Sequence, residues 1–191
     1  MAAETRFLFA GGGSGGHLLP GLAVAEDLRR ADGHCRIEFI ATHRPADRAI
    51  FGTRPSEQVT HLSVESTAAL RRRPWAWLTA NWKAYRRCCR LLTASRPNCL
   101  IGLGGFASVP AVIAARRLGI PIVLMEQNVL PGRATRWLAR LADQVCLSDP
   151  QTREFLPHAA VTVVTGNPVP SSRGPLLTEH WMSQSVLARN A

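Results

Sequence analysis

The chain has 191 residues, 46% hydrophobic and 19% charged, and its 23 basic against 13 acidic side chains leave a formal net charge of +10. So large an apolar fraction can offset chain entropy, which excludes disorder for the chain as a whole; collagen-like and coiled-coil architectures fail on composition. Lys83 is the only lysine, so the excess is almost all arginine, whose planar fork matches phosphate oxygens; arginine-rich coding would give the same imbalance, and charge alone assigns no partner.

Short β-rich runs alternate with longer helical patterns. Strand Arg6–Ala10 leads through a glycine run to a helix over Pro20–Arg30, and strand Arg36–Ala41 into a polar, arginine-rich loop over Thr42–Pro55. Strand Val59–Ser63 precedes a helix over Trp75–Ser95, strand Cys99–Gly102 a helix over Ser108–Leu118, and strand Ile120–Met125 a helix over Pro131–Ala142. Strand Gln144–Leu147, a short helix over Pro150–Leu156 and strand Val161–Val164 complete the series. This alternation predicts an α/β fold, a Rossmann-like parallel sheet with helices on both faces, whose right-handed crossovers bring every strand-to-helix loop to one edge. The packed domain is expected over residues 1–170, with 171–191 as a linker or tail.

Five cysteines without C-x-x-C spacing or a histidine cluster predict neither a disulfide framework nor a zinc site, and suit a reducing cytoplasm. Glu4 stands beside Arg6, and the four-residue apolar run Phe7–Ala10 before the glycines is too short for a signal-peptide core, so no export signal is expected. Pro97–Ala115 carries no charge over 19 positions, yet Gly102, Gly104, Gly105, Ser108 and Pro110 interrupt it, so it reads as strand, glycine loop and helix start rather than a membrane span.

The sharpest feature is Gly11-Gly12-Gly13-Ser14-Gly15-Gly16-His17, directly after a strand and before a helix. Glycines allow positive φ and close approach, and free N–H groups at a helix start attract phosphate, so a diphosphate site is expected; the alternative is a tight turn without ligand. No G-K-[ST] follows, which excludes a P-loop. Gly11, Gly13 and Gly16 fit G-x-G-x-x-G, but Ala41-Thr42-His43 stands where a ribose-binding acid is expected. A second glycine loop, Gly102 to Ser108, follows another strand. Glu126-Gln127-Asn128 ends a third, where its side chains are either ligand contacts or turn and cap residues.

Four segments, Gly11–Ala25, Ile101–Ala115, Glu126–Ala139 and Thr165–Val169, stand in the same order as in the MurG-type N-acetylglucosaminyltransferases of glycosyltransferase family 28, which the chain resembles over about residues 5–170. The resemblance implies the N-terminal, acceptor-side domain of a two-domain GT-B enzyme, without the donor domain. It implies inverting transfer of N-acetylglucosamine from UDP-N-acetylglucosamine to lipid I, the undecaprenyl-pyrophosphoryl-muramoyl-pentapeptide, to give lipid II in peptidoglycan synthesis at the cytoplasmic face of the bacterial plasma membrane. No cofactor or metal is implied and no nucleic-acid partner; a separate donor-domain chain would complete the site. Carried over by position, Ser14, Gly15 and Gly16 line the cleft, Gly104 and Gly105 cradle the acceptor diphosphate, and Gln127 and Asn128 contact substrate, Asn128 the donor sugar. His17 is the base or a helix cap, and Glu126 the other candidate base. Ser14 replaces a usual threonine, Phe106 a tyrosine, Met125 a histidine, Thr135 an asparagine and Pro170 an arginine. The alternative function is a non-catalytic module that holds lipid-linked diphosphate at the membrane.

Along Trp75–Leu92, helical spacing puts Thr79, Lys83, Arg86, Arg87 and Arg90 on one face, and Trp77, Leu78, Trp82, Tyr85, Cys88, Cys89, Leu91 and Leu92 on the other. With Arg71, Arg72, Arg73 and Trp75 at its start, the helix is expected to touch an anionic membrane surface through its basic face, with the apolar stripe packed on the sheet.

Overall fold

The computed structural model describes residues 4–13, 15–65, 67–158 and 160–169; Ser14, Pro170 and the expected tail at 171–191 lie outside them. Seven strands form one sheet: β1 (Arg6–Gly11), β2 (Arg36–Thr42), β3 (Gln58–Leu62), β4 (Cys99–Gly104), β5 (Ile122–Glu126), β6 (Gln144–Leu147) and β7 (Thr162–Val164). Their order is β3-β2-β1-β4-β5-β6-β7 and every pairing is parallel. Every strand expected from the sequence is present within two residues at its start and end.

Among the described residues six helices accompany them: α1 (Gly15–Ala31), α2 (Pro45–Gly52), α3 (Thr67–Leu70), α4 (Pro74–Ser95), α5 (Ser108–Arg117) and α6 (Arg133–Leu138), with a 3-10 turn over Pro150–Phe155. Central strands are buried on both sides, so successive residues feed different cores. Leu8 and Ala10 pack with Leu92, Leu100, Val112 and Leu138 under α4, α5 and α6; Phe9 packs with Leu18, Leu22, Phe39, Phe51 and Leu103 under α1 and α2. Cys88, Cys99 and Cys146 are part of this packing, and burial pushes each thiol up to about 12.

Several boundaries differ from the sequence reading, each for a physical reason. Helix α1 begins at Gly15, so Pro20 lies inside it rather than opening it. Its missing N–H forfeits only the bond to the Gly16 carbonyl, and Gly16 is exposed to solvent. The supposed loop over 42–55 contains α2, whose polar composition hides its anchors: Pro45 in the first turn, the buried Asp47, and Phe51 against Phe39 with ring centroids 5.4 Å apart. The short α3 was also unexpected. Helix α6 is shorter than Pro131–Ala142, and the segment after Pro150 is 3-10 rather than α.

The helix expected to touch a membrane requires a larger correction. The buried line of α4 is Ala84, Cys88 and Leu92, with Trp77, Asn81 and Tyr85 half-buried beside it. Leu78 and Trp82, expected against the sheet, are exposed with Trp75 on the flank that leads to Lys83, Arg86 and Arg90. An α-helix docked on α5 and the sheet buries only a narrow stripe, and the apolar residues of α4 cover a wider arc than that stripe.

Candidate functional site

The winding of the sheet reverses between β1 and β4: β1 leads outward to β2 and β3, and the chain then returns to β4 on the other side of β1. Open α/β sheets bind ligands at this switch point, beyond the carboxyl ends of the strands. Both glycine loops lie there. They touch through their backbones, because a Cβ on Gly105 would overlap the Gly12 carbonyl oxygen. Gly12, Gly13, Gly104 and Gly105 all have positive φ, 144°, 97°, 89° and 72°, a geometry that other residues adopt only with strain.

The first loop is held from beneath by Asp47 of α2. Its carboxylate is fully buried; the Gly13 N–H donates to both oxygens at 2.9 and 3.0 Å, the Thr42 N–H donates to Oδ2 at 2.9 Å, and the Thr42 hydroxyl also donates to Oδ2. The Gly13 N–H is therefore already engaged, contrary to the expectation that the loop's donors stand free for phosphate. In the second loop the Ser108 hydroxyl donates to the Gly105 carbonyl at 2.8 Å.

His17, on the first turns of α1, joins the two loops to β5. Its Nδ1 is 3.2 Å from Gln127 Oε1, and a Cβ on Gly104 would stand 3.3 Å from the same nitrogen. With the Gln127 amide in this orientation Nδ1–H is the donor, which leaves Nε2 with a free lone pair, the tautomer a base requires. Gln127 Nε2 is buried with no partner of its own.

Glu126 is 2% exposed at the end of β5. Its Oε1 accepts from the Asn128 N–H and from the Asn128 side-chain amide, both at 3.0 Å, and its Oε2 accepts from the Gly132 N–H at 3.1 Å. The carboxylate is spent on the turn that presents Asn128. The buried Thr152 holds the same turn from the 3-10 segment, donating to the Asn128 carbonyl at 3.1 Å.

Of the residues singled out in the sequence, His17 thus meets Gln127 and lies over Gly104, Glu126 holds Asn128 one residue further along the same turn, and Gly105 packs on the first loop. Gly16 lies open, with nothing within 4 Å of where a Cβ would be; Gly15 begins α1, and Ser14 is outside the described residues. Arg72, Arg73, Trp75, Lys83, Arg86, Arg87 and Arg90 belong to a different surface and make no contact with this group. Asp47, Thr42 and Thr152 were missed, although an acid set among arginines just after a strand end was a usable signal for Asp47. Among the described residues no group of three or more His, Cys, Asp or Glu side chains could hold a metal ion.

Two glycine loops and a polar triplet thus meet at the switch point of an all-parallel sheet, the edge at which open α/β folds bind ligands. Residues 7–147 match the N-terminal domain of glycosyltransferase family 28, and the chain belongs to that family. It is 36% identical over 166 residues to the UDP-N-acetylglucosamine--N-acetylmuramyl-(pentapeptide) pyrophosphoryl-undecaprenol N-acetylglucosamine transferase of Pelobacter propionicus, covering 86% of this chain and 43% of the relative. The corresponding Geobacter sulfurreducens transferase is 35% identical over 167 residues, 86% of this chain and 45% of the relative. Acinetobacter baumannii MurG superposes with a TM-score of 0.68 at 29% identity, covering 90% of this chain and 48% of that one. A UDP-N-acetylglucosamine 2-epimerase from Neisseria meningitidis, at 14% identity and a TM-score of 0.61 over 86% of this chain and 46% of that one, shares the fold. The chain spans less than half the length of these relatives.

Proposed function

We propose that this chain is the acceptor-side half of an N-acetylglucosaminyltransferase that forms lipid II from lipid I and UDP-N-acetylglucosamine, with the donor half supplied by a second domain or chain. The observation that carries this reading is the convergence of His17, Gln127, Gly104 and the Glu126-held Asn128 at the switch point of a sheet of this family. The acceptor 4-hydroxyl oxygen bonds to the anomeric carbon as the bond to the UDP phosphate oxygen breaks, and UDP leaves with the electron pair. His17 Nε2 takes the hydroxyl proton while Gln127 holds Nδ1–H. Glu126 serves as a positioning residue, because both of its oxygens are occupied. Loop N–H groups and the start of α1 offset the diphosphate charge.

A donor-side partner is supported by the surface beside this group. Leu130, on the loop after β5, is 68% exposed, and a neighbouring groove of about 480 Å3 is lined by Arg133, Arg136, Arg140, half-exposed Trp137 and Phe155. The test is labelled N-acetylglucosamine transfer from the UDP donor to a short-chain lipid I analogue, with the chain alone and mixed with a separately expressed family donor domain. Transfer is expected only in the mixture, and His17→Ala and Asn128→Ala each lower it by about 100-fold or more. No transfer in the mixture, with the donor domain folded and UDP bound, would leave the non-catalytic diphosphate-binding module.

The same reading places the chain peripherally on the cytoplasmic face of the plasma membrane. Among the described residues no helix is long and apolar enough to cross a membrane. Docking is supported by Leu70, Leu78, Trp82 and the 78% exposed Trp75, set beside Arg71, Arg72, Arg73, Lys83, Arg86, Arg87 and Arg90. Sedimentation with anionic vesicles should weaken about fivefold for each of Arg72→Ala and Arg86→Ala, and should fall with added salt. Equal binding to uncharged vesicles would sink the electrostatic part of this docking.

A further inference from the structure

We infer that Arg44 is an anion-binding residue of the cleft, a guanidinium fixed over the junction of the two glycine loops that donates to the acceptor's diphosphate. The inference rests on the preceding reading of the loops as a diphosphate site and adds to it a cation that loop geometry alone does not supply. The Arg44 Cζ lies 4.5 Å from the centroid of the Phe106 ring, in the second glycine loop. Its Cδ is 3.9 Å from where a Cβ on Gly13 would stand, and Phe106 Cε1 is 3.1 Å from that point, so the stem lies on the first loop and the head on the second. The backbone is tied down as well, the Arg44 N–H donating to Thr42 Oγ1 at 3.2 Å, next to the buried Asp47.

Two further observations give this position its chemistry. Arg44 is exposed and makes no ion pair among the described residues, although arginines 6, 29, 30, 36 and 54 each hold a carboxylate. A guanidinium seated over a ring spends none of its N–H groups on an acceptor there, and its donor fork is what engages two phosphate oxygens. The same sheet edge also holds two buried carboxylates, Asp47 and Glu126, that take N–H donors and form no ion pair among the described residues. Asp47 consumes the Gly13 N–H and adds negative charge beneath the loop. Without a positive group above it, this edge would repel a diphosphate; Arg44 is the side chain whose position answers both deficits.

The test is calorimetric binding of geranyl diphosphate, UDP and inorganic pyrophosphate to the full 191-residue chain and its variants. Arg44→Ala is expected to weaken geranyl diphosphate and pyrophosphate about 10- to 100-fold, the range of a charge-assisted hydrogen bond. Arg44→Lys should recover only part of this, since an ammonium cannot fork or stack in the same way, and Phe106→Leu should cost a few-fold by removing the platform while leaving the charge. Unchanged melting temperatures would confirm that all three variants are folded. Unaltered affinity in Arg44→Ala, with the parent binding, would make Arg44 a solvated side chain and overturn the inference while sparing the loop site. A loss confined to UDP would move Arg44 to the donor and overturn its assignment to the acceptor. Failure of the parent to bind any of the three would overturn the diphosphate reading of the loops and this inference with it.

Discussion

Asp47→Ala is expected to lower the unfolding free energy by about 3–5 kcal/mol, measured by urea denaturation. The substitution removes the acceptor for the Gly13 N–H, the Thr42 N–H and the Thr42 hydroxyl at once, at a fully buried position that water cannot re-solvate without opening the loop. Each orphaned buried donor costs about 1–3 kcal/mol, and loop relaxation recovers part of the sum. Against a total stability of about 5–15 kcal/mol for a domain, this brings the protein close to its threshold. Asp47→Asn keeps one acceptor oxygen but points an NH2 group at N–H or O–H donors, so it should lose roughly half as much. An Asp47→Ala protein within about 1 kcal/mol of the parent would show that the first loop keeps its shape without α2.

Asp47 also marks where sequence patterns stop being informative. The central strands were legible because they are buried on both faces, and a short apolar run such as Cys99–Ile101, closed by the glycines that follow it, reads as a buried strand. The glycine loops were legible because five glycines in seven positions between a strand and a helix have a backbone reason to exist. Helix α2 was illegible because its stabilising contacts are tertiary: Phe51 packs on Phe39 and lies edge-on to His61, with ring centroids 6.4 Å apart, and neither partner is near in sequence. Burial and the neighbouring His43 and Arg48 hold the His61 pKa below its ordinary value, which sequence spacing does not reveal. The polar triplet was found as a group, but its division of labour was not. Only coordinates show that Glu126 spends both oxygens on the turn at Asn128, and that Gln127 reaches across to His17, 110 positions away. In α4 the period was read correctly and the width of the buried stripe was not, since it depends on how far the helix sinks between its neighbours. The correction strengthens the membrane reading, because Trp82 and Leu78 join the basic flank.

Two alanine substitutions at glycines separate architecture from ligand approach. Gly105→Ala places a Cβ onto the Gly12 carbonyl oxygen, a backbone atom that cannot rotate aside, and at φ 72° adds about 1–2 kcal/mol of left-handed strain. The loops must part, so a stability loss of about 2–4 kcal/mol and a fall of about 100-fold or more in transfer by the reconstituted enzyme are expected together. Gly16→Ala meets nothing within 4 Å and lies in α1, where alanine is the better helix former; stability should be unchanged or gain up to about 1 kcal/mol. If Gly16 is glycine so that a sugar or phosphate can approach the start of the helix, its alanine variant loses transfer while gaining stability. A Gly16→Ala enzyme of full activity would remove Gly16 from the cleft. A Gly105→Ala enzyme of full activity would remove the loop junction itself, and with it the reason for two glycine loops to meet at one switch point.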